Sequence, residues 1–458
     1  MIRKFSTLSK LGTIGISSNN LKNFKENSLL KSTINYSNIY LKKNVLYDLN
    51  INTIQKNLNS FYEKKYTQPY IPIYGEGPWI GIGFNKVIYD SGGYGMLSFG
   101  HNDKNILKTI SKPQVMANIM TPNINQYVFT DKLNKEIGNS INYRPYSRYM
   151  CLNSGSEINT LAIRISNIHN KKNPVTINLK GSFHGRTEGP AFLSDSCRDI
   201  YNKHLNKFES KCNNYSVEPN NINDLKNTFN KIIINNENPE LFIMEPVMGE
   251  GMPGLAIEPE FYKEVRKLTK ENNCLLLVDS IQAGFRCYGD LSIVDYPNFH
   301  NLEPPDMESF SKTINGGQYP LSVLALSDEV SNKFKKGLYG NTMTANPRAL
   351  NVGSVILDKM NNDIKENIVN KGKLLKKEFN KLKNEFEFIE SVTGTGLLLA
   401  IHINERYPVS EIELKLRQNG LNVIHGGKNA IRFTPWFLID DNEINLIINI
   451  LKQTFLKL

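Results

Sequence analysis

The stretch Asn273-Cys-Leu-Leu-Leu-Val-Asp-Ser-Ile-Gln282 decides the reading of the fold. Leu275 to Val278 is apolar without alternation, the pattern of a strand buried on both faces inside a parallel sheet. The run stops on Asp279. A carboxylate there stands at the edge of a low-dielectric core, where an unpaired charge is costly. Either Asp279 caps a turn or a positive partner meets it.

Moving outward, the same design recurs. Val175-Thr-Ile-Asn-Leu179, Leu241-Phe-Ile-Met244 and Leu321-Ser-Val-Leu-Ala-Leu326 are further strand candidates. Helical patterns lie between them, such as Pro259 to Glu271 with Phe261, Val265 and Leu268 on one face. This alternation predicts an α/β fold, with a large domain over residues 100–340 built on a mostly parallel sheet. Short antiparallel strands around Ile73–Ile80 and Lys86–Asp90 precede it. A helix over about 347–384, strands around Gly396–Ile403 and Asn422–Phe433, and a closing helix over about 440–455 follow it. The segments 45–99 and 341–458 are therefore expected to make a small α/β domain together.

Each buried strand ends in a polar turn. Leu179 runs into Lys180-Gly-Ser-Phe-His-Gly-Arg186, Met244 into Glu245-Pro-Val-Met-Gly-Glu250, and Val278 into Asp279-Ser-Ile-Gln282. Open α/β sheets place ligands just beyond the carboxyl ends of their strands, so these turns converge on one expected active site.

Composition narrows the classes. The 458 residues carry 55 Lys and Arg against 44 Asp and Glu, a formal charge of +11. Residues 1–44 hold eight of the basic residues and one acid, Glu26, so most of the excess sits there. That segment is also rich in serine, and its basic, acid-poor character predicts a disordered mitochondrial targeting leader and a matrix location, with the cytoplasm as the alternative. An ordinary polar tail is the plainer reading. With the charge so assigned, no basic stripe remains to suggest nucleic acid. No run of 18 apolar residues suggests a membrane span. The five cysteines and seven histidines show no metal-ligand spacing, so no metal is expected.

Two further motifs carry chemistry. In Asn153-Ser-Gly-Ser-Glu-Ile-Asn-Thr-Leu-Ala162 a Ser-Gly-Ser turn enters a helical pattern, and exposed N–H groups at a helix start suit a phosphate. Ser154 or Ser156 as a simple cap is the plainer case. In Ser311-Lys-Thr-Ile-Asn-Gly-Gly317 a lysine precedes a flexible turn, where an amine of lowered pKa can form a Schiff base. Most lysines are simply solvated. Together, a phosphate cradle, an aromatic beside a His-Gly-Arg turn, a buried carboxylate and a lysine are the parts that hold pyridoxal 5'-phosphate.

Over roughly residues 70–440 the chain resembles the class III pyridoxal-phosphate aminotransferases, the group that includes 4-aminobutyrate, ornithine and acetylornithine aminotransferases. Asn153-Ser-Gly-Ser-Glu157, Phe183-His-Gly-Arg-Thr187, Glu245-Pro-x-x-Gly-Glu250, Asp279-x-x-Gln282, Ser311-Lys312 with Gly316-Gly317, and Thr342-x-x-x-Asn346-Pro347 occur in the family's order.

The resemblance implies the type I fold of pyridoxal-phosphate transferases. It implies that Lys312 binds the cofactor and moves a proton, and that Asp279 pairs with the pyridine nitrogen. Gln282 would approach the phenolic oxygen and Phe183 would stack on the ring, with His184 and Glu245 also at the cofactor. Gly155 and Ser156 would hold the phosphate, joined by Thr342 of a second subunit, which implies a homodimer with shared active sites. Arg186 would read a substrate carboxylate, a task suited to a guanidinium fork. Arg432 and Glu250 would form a gate that opens for the α-carboxylate of glutamate. The implied reaction moves an amino group from an ω-amino acid, 4-aminobutyrate-like, to a 2-oxo acid such as 2-oxoglutarate. Acetylornithine, ornithine or alanine–glyoxylate transamination, or an aminomutase, are the alternatives on the same scaffold, and a non-catalytic relative is a third class.

The chain also departs from the family. Asp279-Ser280 stands where Asp-Glu is usual, Arg286-Cys-Tyr-Gly289 where Gly-Arg-Thr-Gly is usual, and Thr393 where an arginine is common. None removes a cofactor group; all loosen the substrate assignment.

Overall fold

A computed structural model describes residues 14–43, 51, 68–116, 121–141, 143–169, 172–205 and 213–458. The chain forms two compact units, one of residues 104–369 with 394–398 and one of residues 1–103, 370–393 and 399–458.

The first unit is built on a seven-stranded sheet. Its strands are β1 (Arg148–Leu152), β2 (Pro174–Leu179), β3 (Asn213–Val217), β4 (Asn238–Met244), β5 (Leu275–Asp279), β6 (Met307–Phe310) and β7 (Ser322–Leu326). They lie in the order β1-β7-β6-β5-β4-β2-β3. Only β7 runs against its neighbours, β1 and β6; the other pairings are parallel. The opening stretch is the middle of this sheet. Leu275 and Leu277 pack with Ile158, Leu161 and Ile165 of the helix Gly155–Ser166, while Leu276 and Val278 are fully buried as well. Burial on both faces removes any pressure to alternate, which is why the run reads as continuous.

The expected strands and the helix Pro259–Glu271 are all present. That helix starts with proline at its first turn and buries Phe261, Tyr262 and Val265. The single helix expected over 347–384 is two, Pro347–Lys359 and Asn362–Glu385. Asn361 separates them: its Oδ1 accepts from the Ile364 N–H at 3.0 Å and caps the second helix. The first unit extends to residue 369, beyond the boundary expected at 340, because helix Pro347–Lys359 packs on helices Ile124–Glu136 and Lys104–Ile110.

The second unit holds two four-stranded sheets. One joins Tyr74–Glu76, Trp79–Gly83, Lys86–Asp90 and Leu421–Asn422; in the other, Ala430–Phe433 lies between Leu398–Ile403 and Ile424–Gly426. Residues 14–43 depart from the expectation of a disordered leader. Ile16 N–H donates to Val87 O at 3.0 Å, and the helix Ser28–Lys43 packs on the strand Trp79–Gly83. Leu30, Thr33 and Ser37 are buried, and Phe24 meets Trp79 edge-on at 5.2 Å. Ser37 and the Thr33 backbone approach the strand closely because Gly81 leaves no side chain in the way, a contact that composition alone does not reveal. Residues 1–13 of the expected leader lie outside the described residues. No helix among the described residues is long and apolar enough to cross a membrane.

Candidate active site

The carboxyl ends of β2, β4, β5 and β6 deliver the polar turns to one edge of the first unit's sheet. β4 leads to Glu245, β5 ends on Asp279, β6 leads to Ser311 and Lys312, and β2 leads to Phe183 and His184. Because β5 lies directly between β4 and β6, Asp279 is flanked by both neighbours' turns.

Asp279 is 3% exposed and fully partnered. Its Oδ2 accepts from His184 Nδ1 and from Asn159 Nδ2, each at 2.8 Å. Its Oδ1 accepts from the Ile281 N–H at 3.2 Å and faces Ser309 Oγ at 3.4 Å. Hydrogen bonds to a charged acceptor contribute roughly 1.5–3 kcal/mol each, enough to offset burying the carboxylate. The partner that meets Asp279 within this chain is a histidine. His184 is fixed in turn by its own N–H donating to Ser194 Oγ at 2.8 Å. Its Nε2 is buried without a hydrogen-bond partner among the described residues, as is Asn159 Oδ1.

Lys312 follows β6 and adopts a left-handed conformation, φ 46°, unusual for a residue with a side chain. It is half-buried, and its Nζ donates to Gln282 Oε1. Gln282 is fixed at its other end by Nε2 donating to Gly249 O at 3.0 Å. Glycine at 249 leaves room for this amide, since a Cβ there would stand 2.5 Å from Gln282 Cδ and displace it. Glu245 accepts from the N–H groups of Phe183 at 3.0 Å and Gly249 at 2.9 Å. Burial pushes its carboxyl up to about 7; His184 pulls it down while the neighbouring Asp279 charge pushes the same way as burial. One carboxylate thus ties the turns after β2 and β4 together.

At the start of helix Gly155–Ser166, Ser154 and Glu157 form a reciprocal capping box. Gly155 and Ser156 occupy its first turn, where the helix supplies no partners for N–H groups. Ser156 Oγ accepts from the Arg186 N–H at 3.1 Å, which seats the turn after β2 on the helix start. Gly185 makes this approach feasible: its φ is 128°, and a Cβ would stand 2.6 Å from Ser156 Oγ. The Arg186 guanidinium is exposed, donates to Tyr201 OH at 3.3 Å and lies 5.2 Å from the centre of the Phe183 ring. Burial pushes the Cys197 thiol up; the Arg186 charge opposes this and the Glu250 carboxylate adds to it, so both charges lie near that sulfur.

Ten of the twelve singled-out residues, Gly155, Ser156, Phe183, His184, Arg186, Glu245, Glu250, Asp279, Gln282 and Lys312, sit at this edge of one unit. Thr342 does not join them. It is exposed, beside Asn341, whose Nδ2 donates to Glu157 Oε1 at 3.0 Å. Arg432 belongs to the other unit, on the strand Ala430–Phe433; it is 1% exposed, 5.9 Å from the centre of the Tyr94 ring, and so not a surface charge. Asn159 was not singled out from the sequence. The available signal was a polar residue among the buried positions Ile158, Leu161, Ala162 and Ile165 of an otherwise apolar helix face.

These residues fit pyridoxal phosphate. The edge presents a buried carboxylate, a lysine amine, a helix start for a phosphate and two buried polar atoms, His184 Nε2 and Asn159 Oδ1, that are unmatched among the described residues. Residues 76–455 match the family described as aminotransferase class-III. The chain is 28% identical over 416 residues to the mitochondrial acetylornithine aminotransferase of Debaryomyces hansenii, covering 88% of this chain and 85% of that protein. It is also 28% identical over 382 residues to ornithine aminotransferase 1 of Staphylococcus saprophyticus, covering 80% and 89%. The ornithine aminotransferase structure from Toxoplasma gondii superposes with a TM-score of 0.76 at 21% identity, over 92% of this chain and 98% of that one, which shows a shared fold. The chain belongs to the class-III aminotransferases, enzymes that work with pyridoxal 5'-phosphate.

Proposed function

We propose that this aminotransferase moves the terminal amino group of ornithine or N-acetylornithine to 2-oxoglutarate. The 4-aminobutyrate-like donor expected from Arg186, Glu250 and Arg432 is the second reading. What favours the ornithine class is that relatives matching most of the chain are named ornithine or acetylornithine aminotransferases. Both donor kinds carry a distal amine and a carboxylate, so the same side chains serve either.

The observation that carries the reading is the buried Asp279 with His184 and Asn159, on the same turn as Gln282 and one strand away from Lys312. Pyridoxal phosphate, when bound, supplies an aldehyde that takes up the amino group and a ring that draws electrons from the reacting carbon. Gly155, Ser156 and a second subunit's Thr342 hold the phosphate; Phe183 covers one ring face. Asp279, oriented by His184 and Asn159, holds a proton on the ring nitrogen, and the dry strand end keeps water from weakening that pair. Gln282 fixes the Lys312 amine beside the ring oxygen, and Lys312 Nζ lifts a proton from the donor's reacting carbon and returns it. Arg186 holds a carboxylate in fork geometry. Thr342 acting across subunits makes the working unit a homodimer.

A mitochondrial location belongs to the same reading. It is supported by the basic first residues and by the name of the Debaryomyces relative.

The experiment is a panel of ornithine, N-acetylornithine, 4-aminobutyrate and β-alanine, each with 2-oxoglutarate. We expect ornithine or N-acetylornithine to give the highest kcat/KM. Preference for 4-aminobutyrate by tenfold would reinstate the second reading. Arg186→Lys should raise KM for the preferred donor about tenfold; an unchanged KM for every donor would refute its role.

A further inference from the structure

Glu308 is the most fully satisfied carboxylate near the site that the proposed chemistry does not use. It lies on β6, 0% exposed. Its Oε1 accepts from Ser280 Oγ at 2.5 Å and from the Ile293 N–H at 3.0 Å, and its Oε2 from Tyr146 OH at 2.7 Å and from Ser292 Oγ. Four donors from three separate segments converge on one side chain. Such saturation fixes each donor's segment relative to β6, because releasing any one leaves a buried polar group under-paired.

The segment that matters is Ser280. Glu308 and Ser309 are consecutive on β6, so they point to opposite faces of the sheet. Ser309 Oγ faces Asp279, and Glu308 reaches the residue after it from the other face. Ser280 is held three ways: its N–H donates to Ser309 O at 3.0 Å, its O accepts from the Gly284 N–H at 2.8 Å, and its hydroxyl is held by Glu308. The tight turn so anchored runs from Asp279 to Gln282, the two residues assigned to the ring nitrogen and to Lys312. A glutamate at position 280, usual in the family, would set a second carboxylate against Glu308. Here a hydroxyl stands at 280 and the carboxylate comes from the neighbouring strand.

We propose that Glu308 is a positioning residue that acts through the Ser280 hydroxyl to hold Asp279 and Gln282 in register for the cofactor. This rests on the reading that Asp279 and Gln282 meet pyridoxal phosphate.

The test is cofactor titration of the apo-protein, followed by visible absorption, together with kcat, KM and the apo-protein melting temperature. Ser280→Ala breaks only the link, leaving Glu308 its bonds to Tyr146, Ser292 and Ile293. It should weaken cofactor binding about tenfold and lower kcat about tenfold, the loss of one buried hydrogen bond. KM should stay near wild type, and the apo-protein melting temperature should fall by only a few degrees. Glu308→Gln should weaken binding similarly, and the double variant should be no worse than the poorer single one. Cofactor affinity and kcat within about twofold of wild type in Ser280→Ala overturn the proposal, as do effects that multiply in the double variant. If Glu308→Gln does not fold, the Ser280→Ala result alone decides. Asp279→Ala separates the two levels. If it binds cofactor as wild type does, the site reading fails; if it loses cofactor while Ser280→Ala does not, this inference alone fails.

Discussion

The two units each bury an aspartate against a histidine, and the pairs differ in what surrounds them. In the second unit, Asp90 Oδ2 meets His101 Nε2 at 2.9 Å, while Oδ1 accepts from the Gly92 N–H at 3.0 Å and Asn422 Nδ2 at 2.8 Å. The His101 side chain is 27% exposed, and the bonds tie the strand Lys86–Asp90 to the strand Leu421–Asn422. In the first unit, the side chains of Asp279 and His184 are 3% and 0% exposed, and the imidazole's outer nitrogen finds no partner. The first pair fastens backbone. The second is oriented at a strand end and leaves polar capacity over. Unmatched buried polar atoms also occur away from any site, Ser91 Oγ beside the first pair among them, so what marks the second pair is its convergence with Glu245, Gln282 and Lys312 at the strand ends.

That contrast can be broken by substitution. The largest effect belongs to Lys312→Ala, which should lower transamination on the order of 10⁴-fold and leave the fold intact, read by initial rates and circular dichroism. Next comes the crossed pair. Asp279→Asn should lower kcat about 10²- to 10³-fold with a small change in melting temperature. Asp90→Asn should leave kcat near wild type and destabilise by roughly 1–3 kcal/mol, measured by urea denaturation. Equal effects of both on kcat would erase the distinction.

Asn159→Ala sharpens it further. Removing the amide that bonds Asp279 Oδ2 and His184 O should cost about tenfold in kcat. A drop in melting temperature with kcat unchanged would make Asn159 a fold residue only.

The smallest effects are in pH. Burial works to raise the Asp90 carboxyl, but the His101 bond and charge, with Gly92 and Asn422, outweigh it and hold it below the usual carboxylate range. Its contribution to stability is therefore complete above about pH 3.9 and is lost as pH falls through the lowered native value. Glu245 behaves oppositely. With its carboxyl raised to about 7, the native state keeps a proton that the unfolded chain releases near 4.3. Its share of the apo-protein's stability should fall as pH rises from about 4.3 to about 7, beside similar shares from Glu308, raised to about 7, and Glu443, raised to about 8. Glu245→Gln should flatten that slope in urea midpoints; an unchanged slope would show that Glu245 does not carry it.

Much of this was legible in the sequence because the physics is local. Leu275 to Val278 needs no partner to announce a strand buried on both faces, and the polar turns after β2, β4 and β5 follow from where each run stops. β1, β3 and β6 were not legible. Met307-Glu-Ser-Phe310 mixes apolar and polar residues, because Glu308 and Ser309 each serve a different face. Asn213 to Val217 reads as a polar run at the sheet's edge. The packed segment 14–43 was hidden by its polar residues, of which Thr33 and Ser37 are buried where Gly81 lies opposite. At the site, the roles of Asp279 and Lys312 could be argued from placement and motif. Asn159, Ser309 and Glu308 could not, since each acts through a contact made by folding.

The central claim is that Asp279, oriented by His184 and Asn159, is the group that meets the cofactor's ring. The most direct measurement is single-turnover reaction of wild-type and Asp279→Asn enzymes, both loaded with pyridoxal phosphate, with ornithine and no oxo acid, followed by visible absorption. The account predicts that both retain the visible band and that the variant's band decays at least about 100-fold more slowly. Decay at the wild-type rate would contradict it.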